Sequence, residues 1–431
     1  MRSTRAPPVI SIGAARDAGR ARWPLAFTAL SARQPHIGLN LIFLVPGETG
    51  GMEIVARELI PALLKEAPEG VRFTAFINRE AAVSIDAPWK ELLPVVTVPV
   101  NARSRVQWVL GEQTLLPRLA ARQGVELVHS LASTAPVRGR FHRVVTVHDL
   151  IYARIPEAHT GIRDKGMSVL VPQAARHSDR VLVDSQSTRS DLINLTGVGR
   201  ERIDVVPLGL GAVRREEPLS EREVRSRFDL GERRVVLSVS AKRPHKNLLA
   251  LIAALARIPR EGRPVLVLPG YPTPHEGELR ERARALDIEG EVRFPGWVST
   301  AELEGLWEVA EAFVYPSLYE GFGLPLLEAM ARGVPVACSK TSSLPEVAGD
   351  AALLFDPHDE LAIARAIERL LADPDHAGRL RAHGRQRARL FTWQRTARLT
   401  LQSYARVLEH AGTGPDAPTV KRSGRQTLDS S

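Results

Sequence analysis

The sequence predicts an α/β protein built from two doubly wound, Rossmann-like domains. Short β-branched and apolar runs alternate with amphipathic helical segments along most of the 431 residues, a pattern typical of parallel sheets covered by helices. The alternation pauses in a charged stretch over residues 211–232 and then begins again. The length also exceeds what a single ordinary core organises. Two domains of the same class, joined by that stretch, are therefore expected.

Composition changes at both ends of the chain. The first 36 residues contain six arginines and one aspartate. Their apolar pieces are short and broken by Pro24, which argues against a secretory signal. A disordered or partly helical extension is expected there, with an organellar transit peptide as the less favoured alternative. The expected boundaries are 1–36 for the extension, 37–210 for the first domain, 211–232 for the linker, 233–390 for the second domain, 391–410 for a last helix, and 411–431 for a disordered tail rich in Gly, Pro, Ser and Asp.

The charge balance limits the classes of partner. The formal net charge is +9 and the pI is about 10.1, which suits an anionic substrate or a membrane surface carrying anionic lipid. No run approaches the roughly 18 consecutive apolar residues of a membrane span. We therefore expect a cytoplasmic protein, either free or peripheral at the inner face of the membrane. Nucleic-acid binding is not expected, because no aromatic-basic module or zinc spacing is present. The single cysteine, Cys338, lies in an apolar run and should be buried.

The first unit of the N-terminal domain is a predicted strand over residues 38–45, a glycine-rich loop over 46–51 and a helix over 52–65. The loop glycines, Gly50 and Gly51 among them, do not follow the G-x-G-x-x-G spacing, so a dinucleotide site is disfavoured. A plain tight turn is the alternative to a ligand-binding loop.

A second candidate site follows the β-branched run 144–147, which has the composition of a buried parallel strand. His148 and Asp149 stand at its carboxyl end, where ligands bind in open α/β sheets. The structural alternative is that Asp149 caps a helix and His148 is incidental. For His129 a structural role is favoured. The other elements predicted for this domain are strands at 71–77, 95–98, 127–130, 180–183 and 203–206, a helix at 108–122, and a helix cap at Ser187.

A basic loop follows the first strand of the second domain, predicted at 234–239. Lys242, Arg243 and Lys246 crowd into it just before a helix. Three cations at a strand end can neutralise a diphosphate, although a solvated surface is the usual meaning of such a loop. The remaining predicted elements are strands at 264–268, 292–294, 312–315 and 334–337, and helices at 300–309, 361–371, 377–390 and 393–410.

The most informative stretch is residues 319–330, which read as a loop that turns into a helix. Gly321 and Gly323 permit a tight backbone path, and Pro325 suits a helix start. Free amides at a helix start attract phosphate. Two carboxylates, Glu320 in the loop and Glu328 near the first turn, can accept hydrogen bonds from hydroxyls. Phosphate donors beside hydroxyl-binding carboxylates suggest a sugar nucleotide as ligand.

At this stretch the chain resembles the retaining, GT-B-fold glycosyltransferases of family 4 (glycosyltransferase group 1). Their E-x7-E pattern is matched by Glu320 and Glu328 around Gly-Phe-Gly-Leu-Pro. The Gly-Gly loop, the His-Asp pair and the Lys246-Asn247 pair also match, and the likeness covers roughly residues 38–410. It implies two domains that face each other across a cleft and a last helix that crosses back to the first domain.

The resemblance also implies a reaction and its residues. A hexose of mannose or glucose type would pass, with retention, from a nucleotide diphosphate sugar to an acceptor hydroxyl in polysaccharide or glycolipid biosynthesis. The acceptor would be a glycan or a lipid-linked molecule, and neither a metal nor another cofactor is expected. The family arginine is not cleanly matched, and Lys242 or Arg243 would take its place. The implied catalytic residues are His148, Glu320 and Lys246, and the implied donor-binding residues are Lys242, Arg243, Lys246, Gly321, Phe322, Gly323, Leu324 and Glu328, with Gly50 and Gly51 in the cleft loop.

Two other functions fit the same fold. One is a noncatalytic protein that binds a nucleotide sugar, and the other is a sugar-nucleotide epimerase. The presence of Glu320, Glu328 and Lys246 argues against the first. Alanine at Glu320 or Lys246 is expected to reduce turnover by orders of magnitude and to leave the melting temperature nearly unchanged. Glu346 is expected only to cap a helix.

Overall fold

Two parallel sheets organise the chain in the computed structural model. It describes residue 30 and residues 33–83, 89–155, 162–211 and 216–410. Most of the predicted N-terminal extension and all of the predicted tail lie outside the described residues. Every helix among the described residues is too short or too polar to span a lipid bilayer.

The first sheet has seven strands in the order β3-β2-β1-β4-β5-β6-β7, and every neighbouring pair is parallel. The strand order reverses between β1 and β4, which creates a crevice at the carboxyl ends of the strands. The strands are β1 (His36–Leu41), β2 (Arg72–Ile77), β3 (Val95–Thr97), β4 (Leu127–Ser130), β5 (His142–Val147), β6 (Arg180–Val183) and β7 (Ile203–Val205).

The second sheet has six strands in the order β10-β9-β8-β11-β12-β13, again all parallel. Its order reverses between β8 and β11, so the loops after these two strands border one crevice. The strands are β8 (Val235–Leu237), β9 (Val265–Pro269), β10 (Val292–Gly296), β11 (Ala312–Tyr315), β12 (Val336–Ser339) and β13 (Ala352–Phe355). The fold is therefore the predicted pair of doubly wound α/β domains.

Helices connect the strands and cover the faces of both sheets. Those of the first domain are α1 (Gly51–Glu66), α2 (Arg79–Val83), α3 (Trp89–Leu92), α4 (Arg105–Arg122), α5 (Ile151–Arg154), α6 (Ile162–His177) and α7 (Gln186–Thr196). Those that follow are α8 (Glu221–Arg227), α9 (Leu248–Arg257), α10 (Glu276–Ala285), α11 (Thr300–Val309), α12 (Leu324–Arg332), α13 (Leu344–Ala348), α14 (Glu360–Ala372), α15 (Pro374–Ala388) and α16 (Trp393–His410).

The last helix, α16, packs on the first domain. Arg398 of α16 forms an ion pair with Glu66 at the end of α1, with Nε 2.6 Å from Oε2. Tyr404, which is fully buried, bonds through its hydroxyl to Nδ1 of His129 in β4 at 2.7 Å. The other ring nitrogen of His129, Nε2, bonds to Thr146 Oγ1 at 2.8 Å. Burial lowers the pKa of this histidine to about 3. His129 thus has the structural role that was favoured for it.

Four local features differ from the sequence-based predictions. Strand β1 spans His36–Leu41 and not 38–45, so it begins at the last residue of the predicted extension. The N-cap of α7 is Ser185, whose side chain accepts from the Thr188 amide, and not Ser187. The predicted linker contains a helix, α8, closed at its start by a Ser220–Glu223 capping box. Strand β13 was missed: its four residues are all apolar, but none is β-branched, and β-branched residues marked the strands that were predicted.

Candidate active site

The candidate site lies where the carboxyl ends of the two sheets approach each other. The loop after β8 carries Lys246, the loop after β11 carries Glu320, and the loop after β5 carries His148. All three loops leave the carboxyl end of a parallel strand, which is where such sheets bind ligands.

The loop between β11 and α12 ends in a phosphate-binding type of helix start. Gly323 is the N-cap of α12 and has φ of 114°, a value that favours glycine. Pro325 is the second residue of the helix, where its missing amide hydrogen leaves no gap in the helical bonding. Leu326 and Leu327 are fully buried and anchor the helix to the core. Within the first turn, Leu326 donates its amide to the Gly323 carbonyl at 3.1 Å and Pro325 has no amide hydrogen, so the unpaired donors of a helix start are confined to the residues around Gly323 and Leu324.

Lys246 and Glu320 form a buried ion pair at the centre of the site. Lys246 Nζ lies 2.6 Å from Glu320 Oε1, and the side chains are 15% and 10% exposed. Nζ also donates to the hydroxyl of Tyr315 at 3.0 Å. Burial by itself would lower the pKa of Lys246, but the Glu320 carboxylate raises it overall. Burial likewise opposes ionisation of Glu320, but the Lys246 ammonium holds the pKa of that carboxyl below its ordinary value. Both groups are therefore charged at neutral pH.

Two serines hold the backbone of the Glu320 loop. The Glu320 amide donates to Ser342 Oγ at 2.9 Å. Ser343 Oγ donates to the carbonyl oxygens of Glu320 and Phe322, at 2.9 and 2.7 Å. Ser342 has φ of 51°, an unusual value for a residue other than glycine. The loop is thus fixed from the side of β12 and α13.

The other two cations of the basic loop lie apart from this pair. Lys242 is fully buried and donates from Nζ to the carbonyl of Gly270 at 2.6 Å, with Glu276 Oε2 at 3.9 Å. Burial lowers the pKa of Lys242 to about 8. Arg243 is exposed. Of the three candidates for binding a diphosphate, Lys246 is the one that the structure places beside Glu320.

His148 is held by acceptors on both ring nitrogens. Nδ1 lies 2.8 Å from Oδ2 of Asp184, and Nε2 lies 2.9 Å from the carbonyl oxygen of Leu131. Burial by itself lowers the pKa of His148, but the Asp184 carboxylate and these two hydrogen bonds raise it to about 9. The ring is therefore a doubly protonated imidazolium at neutral pH, with each N–H donated to the protein.

The Glu320 loop and the His148 loop are in direct contact across the two domains. A Cβ atom added at Gly321 would overlap the carbonyl oxygen of His148, and it would lie 2.9 Å from Asp149 Cβ. Glycine is thus required at 321 by the close approach of another backbone. This contact brings together the two loops that carry His148 and Glu320.

Two further predicted groups lie at or near the starts of helices that follow β11 and β1. Glu328 is the fifth residue of α12, near the first turn as predicted, and is partly exposed. Gly50 is the N-cap of α1 with φ of 63°, and Gly51 is its first residue. The same cleft loop contacts the second domain, because the hydroxyl of Tyr271 donates to the Gly47 carbonyl at 3.2 Å.

Sequence reasoning missed several residues that complete the site. Asp184 follows the buried strand β6 as His148 follows β5, so the same strand-end signal could have found it. Tyr315 ends β11 and precedes the E-x7-E stretch by only a few residues. Ser342 and Ser343 do not directly follow a strand, so the strand-end signal does not find them, and their contacts depend on the path of the loop after β12.

No metal centre is evident in the described residues. Across residues 33–83, 89–155, 162–211 and 216–410, no three side chains among His, Cys, Asp and Glu are grouped so that they could hold a metal ion.

Comparisons with known proteins identify relatives of both halves of the chain. Residues 220–387 match the family described as "Glycosyl transferases group 1", and residues 49–214 match "Glycosyltransferase Family 4". The O-antigen chain mannosyltransferase B of Escherichia coli is 34% identical over 264 residues, which are 61% of this chain and 69% of that protein. The serotype-specific mannosyltransferase WbdA of Escherichia coli is 30% identical over 276 residues, which are 62% of this chain but only 34% of that protein.

A solved structure supports the fold independently. Sucrose-phosphate synthase from Thermosynechococcus elongatus superposes with a TM-score of 0.69 at 24% sequence identity, covering 88% of this chain and 100% of that one. At this level of identity the likeness concerns the arrangement of the two domains and not the substrate.

Proposed function

The chain belongs to the group 1 glycosyltransferases of family 4, and on that premise we propose that it is a retaining hexosyltransferase. The donor is a nucleotide diphosphate sugar, and the acceptor is a hydroxyl of a glycan or a lipid-linked molecule in polysaccharide or glycolipid biosynthesis. The observation that carries the proposal is the buried Lys246–Glu320 pair beside the amides that open α12. The two Escherichia coli relatives described above are mannosyltransferases, which favours mannose as the sugar.

The donor diphosphate binds at the start of α12. The amides near Phe322, Gly323 and Leu324 point toward it, and the helix dipole favours negative charge there. Lys246 presents a protonated ammonium there, since its pKa is raised by the Glu320 carboxylate with which it is paired. These groups stabilise the diphosphate as it leaves. The proposed chemistry needs no metal, and Lys242 or Arg243 contributes further positive potential from the same loop.

The two motif carboxylates bind the hydroxyls of the donor. A carboxylate has about four acceptor positions, so Glu320 can accept from a sugar hydroxyl while one of its oxygens is bonded to Lys246. Glu328, on the next turn of α12, accepts from the ribose hydroxyls. Gly50 and Gly51 line the opposite wall, where the acceptor enters.

The reaction replaces one bond at the anomeric carbon by another on the same face. The bond from the anomeric carbon to the diphosphate oxygen breaks, and the bonding electrons leave with the nucleoside diphosphate. The acceptor oxygen forms the new bond, and its proton passes to the departing phosphate oxygen. No protein nucleophile takes part in this proposal. Closure of the two domains excludes water and limits hydrolysis of the donor.

His148 orients the donor sugar from the first domain. Its imidazolium, with a pKa of about 9, donates Nδ1–H to Asp184 and Nε2–H to the Leu131 carbonyl. A sugar hydroxyl beside Nε2 shares that second hydrogen bond with Leu131. Asp184 keeps the ring charged and fixes its plane.

An exposed part of α4 supports a peripheral contact with a membrane that carries the acceptor. Val106 and Leu110 are 69% and 58% exposed, and Arg103 and Arg105 are exposed at the same end of the helix. Apolar side chains beside arginines suit an anionic lipid interface. The protein should sediment with phosphatidylglycerol vesicles and less with phosphatidylcholine vesicles, and a Val106→Ser, Leu110→Ser variant should bind more weakly. The contact would be contradicted if wild type and the variant sedimented equally with both kinds of vesicle.

The test of the proposed function is release of nucleoside diphosphate from a panel of GDP-, UDP-, ADP- and dTDP-linked sugars. Wild type and Glu320→Ala are compared with and without a crude lipid extract, and with and without EDTA. Release from one donor that survives EDTA and is lost in the variant supports the proposal, and NMR of the product's anomeric proton tests retention. A changed sugar on an intact nucleotide would indicate an epimerase. Calorimetric binding of a nucleoside diphosphate without any turnover would indicate a binding protein.

A further inference from the structure

Helix α7 of the first domain binds the Glu320 loop of the second domain on both sides of the glutamate. On one side, the hydroxyl of Tyr319 donates to Asp191 Oδ2 at 2.8 Å in a buried position. On the other side, Thr188 Oγ1 donates to the carbonyl oxygen of Gly321 at 3.2 Å, also buried. Tyr319 and Gly321 are the immediate neighbours of Glu320, so α7 constrains the backbone before and after it.

The α7 side of these contacts is itself fixed. Asp191 is paired with Arg154 of α5, in a short contact between Nη2 and Oδ1. Thr188 accepts from Ser185 Oγ at 2.9 Å, and its amide donates to the same oxygen at 3.0 Å. Thr188 is fully buried and Asp191 is 8% exposed. The contacting groups are therefore held in place before they reach the loop.

Two more hydrogen bonds join α7 to the second domain. Glu346 of α13 accepts from the amides of Gln186 and Ser187 at the start of α7, both at 3.1 Å. This carboxylate caps a helix of the other domain, where negative charge is favoured. Residue 346 lies just after Ser342 and Ser343, which hold the Glu320 backbone. Helix α7 thus touches the Glu320 loop directly and the segment that supports it.

We propose that Thr188 and Asp191 are positioning residues that place Glu320 when the two domains close. The inference rests on the proposed function, in which Glu320 binds the donor sugar and holds Lys246. When the cleft opens, Tyr319 and Gly321 lose their partners on α7, and Glu320 keeps only the contacts within its own domain. The complete donor site therefore assembles in the closed arrangement, which links transfer to closure and leaves the nucleoside-diphosphate site of the second domain intact.

The test removes single hydroxyl groups at constant shape. Tyr319→Phe and Thr188→Val each delete one cross-domain hydrogen bond, and Tyr404→Phe is the matched control because it deletes a buried tyrosine hydroxyl bond in the first domain, away from the loop. With the donor that wild type uses, each of the first two variants should lower kcat about tenfold. The Kd of the released nucleoside diphosphate should stay within about twofold of wild type. Tyr404→Phe should keep its kcat and lower the melting temperature.

Two results, one on turnover and one on binding, would overturn the proposal. One is a kcat within about twofold of wild type for both cross-domain variants. The other is a rise of the nucleoside-diphosphate Kd in proportion to the loss of kcat, since the residues would then act in donor binding and not in placement of Glu320.

A second measurement separates this proposal from the proposed function. Cys338 is the sole cysteine and is fully buried, so dyes attached after Arg122→Cys and Glu368→Cys report the distance between the domains by energy transfer. Both of these positions are exposed on helices of different domains. If wild type turns over no sugar nucleotide, the proposed function fails, and the energy-transfer measurement alone then tests whether the α7 contacts hold the domains closed. Transfer efficiency that falls in Tyr319→Phe and Thr188→Val but not in Tyr404→Phe supports the α7 contacts as the closing element, and unchanged efficiency in all three overturns it.

Discussion

Replacing Lys246 with methionine should destabilise the second domain as well as abolish turnover. The substitution keeps much of the side-chain volume but leaves Glu320, 10% exposed, as a buried carboxylate without its cation. It also leaves the hydroxyl of Tyr315 without the Lys246 donor. Breaking a buried ion pair by removing one partner costs about 3–5 kcal/mol, and the slight exposure of both groups favours the lower end. A loss of about 3 kcal/mol corresponds to a drop of roughly 6–12 °C in the melting temperature of a domain of this size.

The assay is a double-mutant cycle on unfolding and on turnover. Lys246→Met, Glu320→Gln and the double variant are unfolded in urea, and each is also tested for nucleotide release. The two single variants should each lose about 3 kcal/mol, whereas the double variant should regain most of it because no unpaired buried charge remains. Turnover should be lost by orders of magnitude in all three, because the donor still needs both charged groups. Stability and activity therefore separate in the double variant.

A coupling energy within about 0.5 kcal/mol of zero would refute the reasoning. It would mean that Lys246 and Glu320 do not interact in the protein in solution. Full turnover in the double variant would refute the assignment of the site itself.

Three further predictions concern the surroundings of this pair. The pKa of His148 is raised from 6.5 to about 9 in the folded protein, so its contribution to stability is complete below about pH 6.5 and is lost as the pH rises through about 9. Over this range, wild type should lose up to about 3 kcal/mol of unfolding free energy relative to His148→Gln. Equal pH profiles for the two proteins would contradict the pairing of His148 with Asp184. Gly321→Ala should lower kcat more than tenfold, because the new methyl group overlaps the His148 carbonyl. Gly277→Ala is the control and should leave kcat unchanged, because its methyl group meets nothing within 4 Å. Equal kinetics of the two variants would show that the Glu320 loop and the His148 loop are not in contact. Ser185→Ala should lower the free energy of unfolding in urea by about 1 kcal/mol, because Ser185 caps α7. Ser187→Ala should change it by less than about 0.5 kcal/mol. A larger loss in Ser187→Ala than in Ser185→Ala would show that Ser187 is the cap.

The structure changes one expectation about the variants of this site. From the sequence, alanine at Glu320 or Lys246 was expected to leave the melting temperature nearly unchanged, because both residues read as solvent-facing loop groups. Their burial and mutual pairing predict a measurable loss of stability instead. Sequence reasoning treated the two residues as separate ligand contacts, since they are 74 positions apart.

The basic loop illustrates a related limit. Lys242, Arg243 and Lys246 were all expected to meet the diphosphate, and the sequence left open whether Lys242 or Arg243 takes the place of the family arginine. The backbone turns so that Lys242 is buried against the Gly270 carbonyl and Arg243 faces solvent. Those directions depend on a short 3-10 turn over Pro244–Lys246 and on the position of β9, neither of which leaves a periodic pattern in the sequence.

By itself the sequence determined the fold class, the main strands and the identity of the E-x7-E stretch. These features are local: β-branched runs form buried parallel strands, and glycine, proline and apolar spacing define the start of α12. Only the tertiary structure decided which of these segments meet. The pairing of Lys246 with Glu320, the contact of Gly321 with His148, and the bonds from α7 to the Glu320 loop join residues far apart in the chain. Such contacts depend on how two domains pack, and the interatomic distances that define them exist only once both sheets are folded and closed on each other.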